Sequence, residues 1–479
     1  MSRVLLVTSA VGGVIRYTGK WLNLTMVYIA GELQRQGHDV SIYDAAINNH
    51  GILQICEKIL DYRPDVVLTT AGTSSMGTAA EILAAAKRVL GNVTTVIGGI
   101  YPTLRYQEVL DLYPAIDFVV RGEGDLTFSE LVNVLESNKS LDGVAGIAYI
   151  SQGQVKVTAE RPLIKNLDSL TPAWDLLEWR DYTYYIFPGS RLGVVSTSRG
   201  CGKSCWDCTQ IRLKLRCWRA RSVESVTAEI EMLVREFELD VILIANELST
   251  RDQARWTKIL DWLITKKLDV KLLVESTAAD IIRDKDIIQK YKRAGIVHIL
   301  MGIGPNTIGA RKTEINKVIS TGIGRAVNIL DNAGIISELF CLIERPEENI
   351  EKIRMSSEMA KLYSPDFVHF ACNPLWNHPD LGRGEFLEHL TSDYYRYCYG
   401  DSPATVSVRT SQSEIERCYE EYYFGKLKEW AGLRPGFKRD YIGRYMRLLT
   451  NYSYIAERIP QLKPFLFGPR KSTPIRYMP

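Results

Sequence analysis

The stretch Gly193-Val194-Val195-Ser196-Thr197-Ser198-Arg199-Gly200-Cys201-Gly202-Lys203-Ser204-Cys205-Trp206-Asp207-Cys208 decides how this chain is read. A strand-like run, Gly193 to Ser198, leads into a loop carrying three cysteines spaced as C-x-x-x-C-x-x-C. Thiolates suit iron and zinc, and three of them can hold an iron-sulfur cluster while one iron stays open to a further ligand. Zinc is the competing reading, because Cys217 follows nearby and could complete a four-sulfur tetrahedral site. Against zinc, the cysteines are not paired as C-x-x-C hairpins; they follow a strand and precede a helix expected to start near Ser222.

Composition narrows the class. A chain of 479 residues predicts two or three domains. Lysine plus arginine number 59 and aspartate plus glutamate 56, so the near balance makes no electrostatic case for nucleic acid. No long uncharged apolar run reads as a membrane span, and Met1-Ser2-Arg3 followed by Val4 to Val7 lacks a cleavable signal pattern, so the expected location is cytoplasmic. Nine cysteines, an odd number with no disulfide-like framework, agree with a reducing compartment, and an exposed cluster favours anaerobic conditions.

From the amino terminus to Leu141, short apolar runs alternate with helical patterns, which predicts an α/β doubly wound parallel sheet of the flavodoxin-like (Rossmann-type) kind. Expected strands are Val4 to Thr8, Asp39 to Tyr43, Val66 to Thr70, Thr94 to Ile97 and Phe118 to Val120, with helices over Leu24 to Gln36, Ile52 to Tyr62, Thr78 to Leu90 and Leu126 to Leu135. Ligands of such sheets sit beyond the carboxyl ends of the strands. The ligand-facing loops are then Ser9 to Lys20, Ala71 to Gly77, Gly98 to Thr103 and Arg121 to Asp125. Glycines 98, 99, 122 and 124 let backbone approach a ligand, and Thr73, Ser74 and Ser75 offer hydroxyls beside a helix start.

The series Arg63-Pro64-Asp65-Val66-Val67, Val96-Ile97-Gly98-Gly99-Ile100-Tyr101-Pro102-Thr103 and Asp117 to Asp125 resembles the cobalamin-binding domain found ahead of many radical S-adenosylmethionine (SAM) barrels. The resemblance implies cobalamin contacts at Thr73, Ser74, Ser75, Gly98, Gly99, Tyr101, Gly122 and Glu123. The aspartate-x-histidine-x-x-glycine signature is absent, which implies a corrin with no protein histidine on cobalt. A hairpin, Gly146 to Ile150 against Val155 to Thr158, and a proline- and aromatic-rich connector complete the segment 142–190.

Beyond it, strand and helix alternate through Val241 to Ala245, Lys271 to Glu275, Val297 to Gly302, Glu338 to Ile343 and Phe367 to Cys372, which with the strand before Cys201 predicts a partial six-unit (β/α) barrel over 191–384. Together with Trp218-Arg219-Ala220-Arg221-Ser222, Ala294 to His298 and Ser364-Pro365-Asp366, this half is similar to the radical SAM barrel, nearest to the anaerobic magnesium-protoporphyrin IX monomethyl ester oxidative cyclases and the related cobalamin-dependent methyltransferases. The likeness implies a [4Fe-4S] cluster on Cys201, Cys205 and Cys208, S-adenosylmethionine bound by Asp207, Glu247, Glu275, Ser276 and Gly302, and an electron donor such as flavodoxin or ferredoxin. His378, after the sixth strand, is the candidate for contact with a small-molecule substrate, while His298 and His369 in apolar runs are expected to pack in the core.

Departures from the family pattern gather where the cofactor would lie: Gly202 where proline is usual, Asp207 where an aromatic precedes the third cysteine, the incomplete acidic run Ala245-Asn246-Glu247-Leu248, Met301 to Pro305 without its glutamate, and Glu344 for glycine. The expected activity is methyl transfer to an unactivated carbon. Its alternatives are oxidative cyclisation of a porphyrin-like substrate and a cobalamin-binding relative with altered catalysis. The tyrosine-rich segment 385–479, helical at Ser413 to Trp430 and Arg439 to Ile459, is expected to cap the barrel.

Overall fold

The computed structural model describes residues 1–8, 18–72, 75–137, 139–201, 217–245, 248–303, 312–344, 350–373 and 406–452. In the amino-terminal part, strands β1 (Arg3–Val7), β2 (Asp39–Tyr43), β3 (Val66–Thr70), β4 (Thr94–Gly98) and β5 (Phe118–Val120) run parallel in the order β2-β1-β3-β4-β5. Alternate side chains serve opposite faces. Leu5, Val7, Val67, Ile97 and Val119 pack with helices α2 (Ile52–Tyr62), α3 (Met76–Leu90) and α4 (Ile100–Leu112), whereas Val4, Leu6, Val66, Leu68 and Val120 pack with α1 (Leu24–Arg35) and α5 (Gly124–Glu136). Strands apolar at nearly every position are what a sheet covered on both faces requires.

Two features of this amino-terminal part depart from the sequence reading. Helix α4 begins where only a loop to Thr103 was expected; its Pro102 sits in the first turn, where a helix has no acceptor for the missing N–H. Gly99 precedes it at φ +105°, and a Cβ there would come within 2.4 Å of the Ala71 carbonyl oxygen. The hairpin β6 (Ile147–Ser151) and β7 (Gln154–Val157) does not stand apart but extends the same sheet, β6 lying antiparallel to β5 with Phe118 opposite Tyr149. The connector that follows is packed against both halves: Tyr182 donates to Asp44 at 3.1 Å, and Trp174 Nε1 donates to Glu229 at 3.1 Å.

The run expected as one strand before Cys201 divides. β8 (Leu192–Val195) belongs to the second sheet, while β9 (Ser198–Arg199) turns away to form a two-stranded antiparallel ladder with β10 (Arg219–Ala220). The second sheet continues with β11 (Val241–Ile244), β12 (Lys271–Ser276), β13 (Ile296–Ile303), β14 (Ile336–Glu344) and β15 (Phe367–Asn373), each parallel to its predecessor. Helix Val223–Glu236 starts where Ser222 accepts from Ser225 N at 3.1 Å, satisfying a backbone donor that the first turn leaves free.

The tyrosines near the carboxyl terminus have a definite task. β15 is an edge strand, and edge backbone groups invite foreign pairing unless they are covered. Helix Val406–Ala431 lays Tyr419 and Tyr423 along that edge. Tyr419 Oη accepts from Phe370 N at 2.8 Å, and Tyr423 Oη donates to Val368 O at 3.0 Å. Four residues of helix advance about 6 Å and two residues of strand about 6.6 Å, so the i, i+4 spacing matches alternate strand positions. Helix Phe437–Tyr452 adds Tyr441, Tyr445 and Met446 to the buried cluster of the second sheet. No helix among the described residues is long and apolar enough to cross a membrane.

Candidate functional site

Chain segments leaving the carboxyl ends of both sheets line one cavity of about 310 Å³. The first sheet supplies Thr70, Gly99, Ile100, Thr103 and Gly122; the second supplies Ser196 and Ala245, and Arg199 and Arg219 come from the β9/β10 ladder. Within the loop after β5, Gly122 has φ +83°, and a Cβ there would meet nothing within 4 Å. Its N–H is held by Thr103 Oγ1 at 3.1 Å. The neighbouring glycines have internal reasons instead. A Cβ on Gly98 or Gly124 would strike the Phe128 ring at 2.9 and 2.8 Å, so these two glycines make room for protein packing.

Of the residues expected to meet cobalamin, Gly99, Gly122 and Glu123 are brought to the cavity. Tyr101 is not: it lies in the core with its hydroxyl donating to Glu108 at 2.9 Å, and burial ahead of the Glu108 charge raises its pKa. Ser75 is turned inward as well, its Oγ accepting from Gly72 N at 3.0 Å ahead of α3. Ser276 Oγ lies 2.8 Å from Thr250 Oγ1 and is buried, while Glu275, half-buried, and Gly302, exposed with open space at its Cβ position, close the carboxyl ends of β12 and β13. Thr73, Ser74, Cys205, Asp207, Cys208, Glu247 and His378 lie outside the described residues.

Glu123 and Asp125 do something the sequence reading did not assign. Arg219 donates to Glu123 through Nη1 at 2.9 Å and Nη2 at 2.7 Å. Arg199 donates to Asp125 through Nη1 at 2.8 Å and Nη2 at 2.9 Å. The two arginines flank the cysteine segment on either side. A signal was present, since the charged loop Arg121-Gly122-Glu123-Gly124-Asp125 faces two separate arginine-bearing stems, but nothing local pairs them.

The same stems are braced through backbone carbonyls. Arg251 donates to the Cys201 carbonyl and lies 5.8 Å over the Trp218 ring; Arg255 donates to Thr197 O at 2.9 Å and Arg221 O at 2.8 Å. Arg221 in turn reaches Ser196 O at 3.0 Å and pairs with buried Glu229, whose pKa is raised by burial against the pull of Arg221. Cys201 is half-buried at one stem and Cys217 exposed at the other. Trp218 Nε1 is buried with no acceptor among the described residues.

His298 and His369 are buried as expected, but in a polar cluster and not in apolar packing. His298 Nε2 lies 2.7 Å from Glu338 Oε2, and His369 pairs with the other oxygen. Tyr441 reaches His298 Nδ1 at 2.8 Å, and Tyr445 donates to Glu338 at 2.9 Å. Burial alone would raise the Glu338 carboxyl; the imidazoles, His369 before His298, overcome it and hold the group far below the ordinary carboxylate range.

The site's chemistry can be weighed from these contacts. The open floor at Gly122 and the 43 % exposed apolar Ile100 fit a broad, partly apolar ligand met at its rim by backbone, with the Thr103 hydroxyl holding that backbone through Gly99 O and Gly122 N. Among the described residues that line the cavity there is no histidine, cysteine or methionine. A corrin held without a protein ligand on its metal fits this lining. The cysteine stem, braced by cations at its backbone, fits a thiolate-held cluster that carries net negative charge.

A sheet with five parallel strands and a wholly parallel second sheet, sharing a cavity at their carboxyl ends, define an α/β protein of the doubly wound kind joined to a strand-helix repeat. Comparison with known proteins supplies the family. The B12 binding domain matches residues 10–132. The anaerobic magnesium-protoporphyrin IX monomethyl ester cyclase of Rubrivivax gelatinosus is 30% identical over 485 residues, covering 92% of this chain and 85% of that protein. An uncharacterized methyltransferase of Pyrococcus horikoshii is 31% identical over 76% of this chain and 77% of its own length. Among solved structures, the radical S-adenosylmethionine methyltransferase TsrM of Kitasatospora setae, with cobalamin and a [4Fe-4S] cluster bound, superimposes with a TM-score of 0.64 at 13% identity, over 97% of this chain and 100% of that one. The chain belongs to the family of the anaerobic magnesium-protoporphyrin IX monomethyl ester cyclases, carries a B12 binding domain, and shares the fold of the cobalamin-bound radical S-adenosylmethionine methyltransferase.

Proposed function

We propose that this protein is a cobalamin-dependent radical SAM enzyme that transfers a methyl group to an unactivated carbon of a small molecule. The observation that carries the reading is the cavity shared by the carboxyl ends of two sheets, with the cysteine stem at its edge. When bound, the cluster supplies the electron that cleaves the sulfonium of S-adenosylmethionine, and cobalamin supplies the methyl group to be moved.

The protein's own residues hold and exclude. Cys201, Cys205 and Cys208 would ligate the cluster; Glu275, Ser276 and Gly302, at or near the carboxyl ends of β12 and β13, would contact S-adenosylmethionine together with Asp207 and Glu247; Gly99 lines the cavity and Gly122 lets backbone meet the corrin. The six parallel strands act as a partial barrel over 191–384, the domain 1–141 lays cobalamin on its mouth, and the helices beyond 385 close it from the other side. Reactants held a few ångströms apart in a water-poor cleft gain effective concentration and avoid quenching. Electrons come from a flavodoxin- or ferredoxin-like donor.

A second reading, oxidative cyclisation of a porphyrin-like substrate, is favoured by the relatives named as cyclases. Protein reconstituted without air with iron, sulfide and hydroxocobalamin is assayed with methyl-labelled S-adenosylmethionine. One labelled methyl gained by the product supports transfer; oxygen gained from water without a methyl supports cyclisation. A preparation that takes up neither iron nor corrinoid and makes neither 5′-deoxyadenosine nor S-adenosylhomocysteine sinks both.

A further inference from the structure

We propose that Glu123 and Asp125 are positioning residues that fasten the corrin-facing loop to both stems of the cysteine segment, so that corrinoid binding and cluster binding strengthen one another through this loop. The inference rests on the cofactor reading above and goes beyond it by assigning the coupling to named side chains.

Adjacency is the first support. Gly122 opens onto the cavity, and the next residue grips Arg219 while Asp125 grips Arg199. A ligand that orders the backbone at Gly122 therefore orders both carboxylates within three residues. The second support is the ladder itself. In β9/β10, Arg199 stands directly opposite Arg219, and like charges facing each other across a strand pair are unfavourable. The stems beyond this two-residue ladder are tied by Arg221 N to Thr197 O at 3.0 Å and by Arg255, but none of those bonds neutralises the facing guanidinium charges. The neutralising charges come from the other sheet: Glu123 Oε1 also lies 3.8 Å from Arg199 Nη1, so the four groups form one network.

The third support is geometry. Both pairs use two parallel N–H donors, which fixes angle as well as distance in a way a single ammonium contact would not. The Asp125, Glu123 and Arg219 side chains keep 6%, 10% and 8% of their exposure, so solvent screens them little. Buried ion pairs often stabilise a fold no better than apolar packing, and their best-attested use is to fix register. By contrast, Arg221, Arg251 and Arg255 brace the stems through backbone carbonyls or from their own half, and do not reach the loop after β5. Two ligands that bias the same loop must show reciprocal coupling.

The test uses full-length protein and hydroxocobalamin, titrated by absorbance, in cluster-free and anaerobically reconstituted forms. Native protein is expected to bind the corrinoid at least about fivefold more tightly once the cluster is in place, and the double variant E123Q/D125N to bind it with a ratio near one, in the usual range of coupling factors. Retention of the native ratio by the double variant, or a ratio of one in the native protein, overturns the proposal. Amide hydrogen exchange at 198–199 and 219–220 supplies a readout independent of turnover. Added hydroxocobalamin slows it in the native protein and leaves the variant unchanged; slowing in both overturns the coupling. If no form binds corrinoid, the cofactor reading falls and the coupling with it. The clamp then stands or falls on exchange without ligand, about tenfold faster in the variant if the carboxylates hold the ladder and equal if they do not.

Discussion

Two buried groups of charge sit toward opposite ends of the second sheet's strands and show how the same chemistry serves different ends. At the carboxyl side, Glu123 and Asp125 reach across from another sheet to Arg199 and Arg219, beside a glycine facing open space. Near the amino ends of β13, β14 and β15, His298, Glu338 and His369 each stand third in their strand, closed over by Tyr441 and Tyr445. The first group joins separate elements next to a cavity. The second joins neighbouring strands to the carboxyl-terminal helix and is sealed. In strand-helix repeats, chemistry gathers at carboxyl ends and stability at amino ends, and the charges here divide along that line.

Four experiments break or sharpen that contrast, the largest effect first. Replacement of Cys201, Cys205 and Cys208 by serine is expected to reduce iron and sulfide to background and abolish turnover of S-adenosylmethionine, with little change in the melting of the sheet. Persisting turnover would remove the chemistry from the seam.

At the sealed cluster, Glu338→Gln leaves two imidazoles without their carboxylate and is expected to cost about 3–5 kcal/mol in urea unfolding. The sign with pH follows from the depressed carboxyl. Its stabilisation is present above the ordinary value of 4.5 and is lost as pH falls below it, so the gap between native and variant narrows in acid. A gap that widens in acid would mean that the carboxyl is not held ionised.

Gly122→Val tests the open floor. The left-handed backbone there costs a side chain about 1–2 kcal/mol, and the added bulk is expected to weaken hydroxocobalamin binding more than about tenfold. Gly189→Val, at φ +80° with nothing near its Cβ position but away from the cavity, is expected to lose similar stability without the binding loss. Equal binding by both variants would close the cavity as a corrin site. Smallest is Ser222→Ala, expected to cost about 1 kcal/mol through the lost cap of the helix after β10, as read by thermal unfolding.

Strand positions in the first sheet were legible because nearly every residue of Val66–Thr70 and Thr94–Gly98 is apolar or small and is bounded by turn residues. Helix α4 was not, because Pro102 reads as a breaker unless its place in the first turn is known. The glycine-rich loops were found, but which glycine faces a ligand was not, since the Phe128 ring that claims Gly98 and Gly124 lies in α5. His298 and His369 looked apolar in context because their strands are; the Glu338 between them is a neighbour only through register.

What the chain determined alone was everything local or periodic: the parallel sheets from their apolar rhythm, the helix start at Ser222, the thiol spacing with its family. Tertiary structure alone decided which charges meet, because Glu123 and Arg219 are separated by 96 positions and only the meeting of the loop after β5 with the β9/β10 ladder brings them to 2.7 Å. Short-range sterics write the elements into the sequence, whereas an ion pair across a seam depends on how independently formed surfaces come to rest.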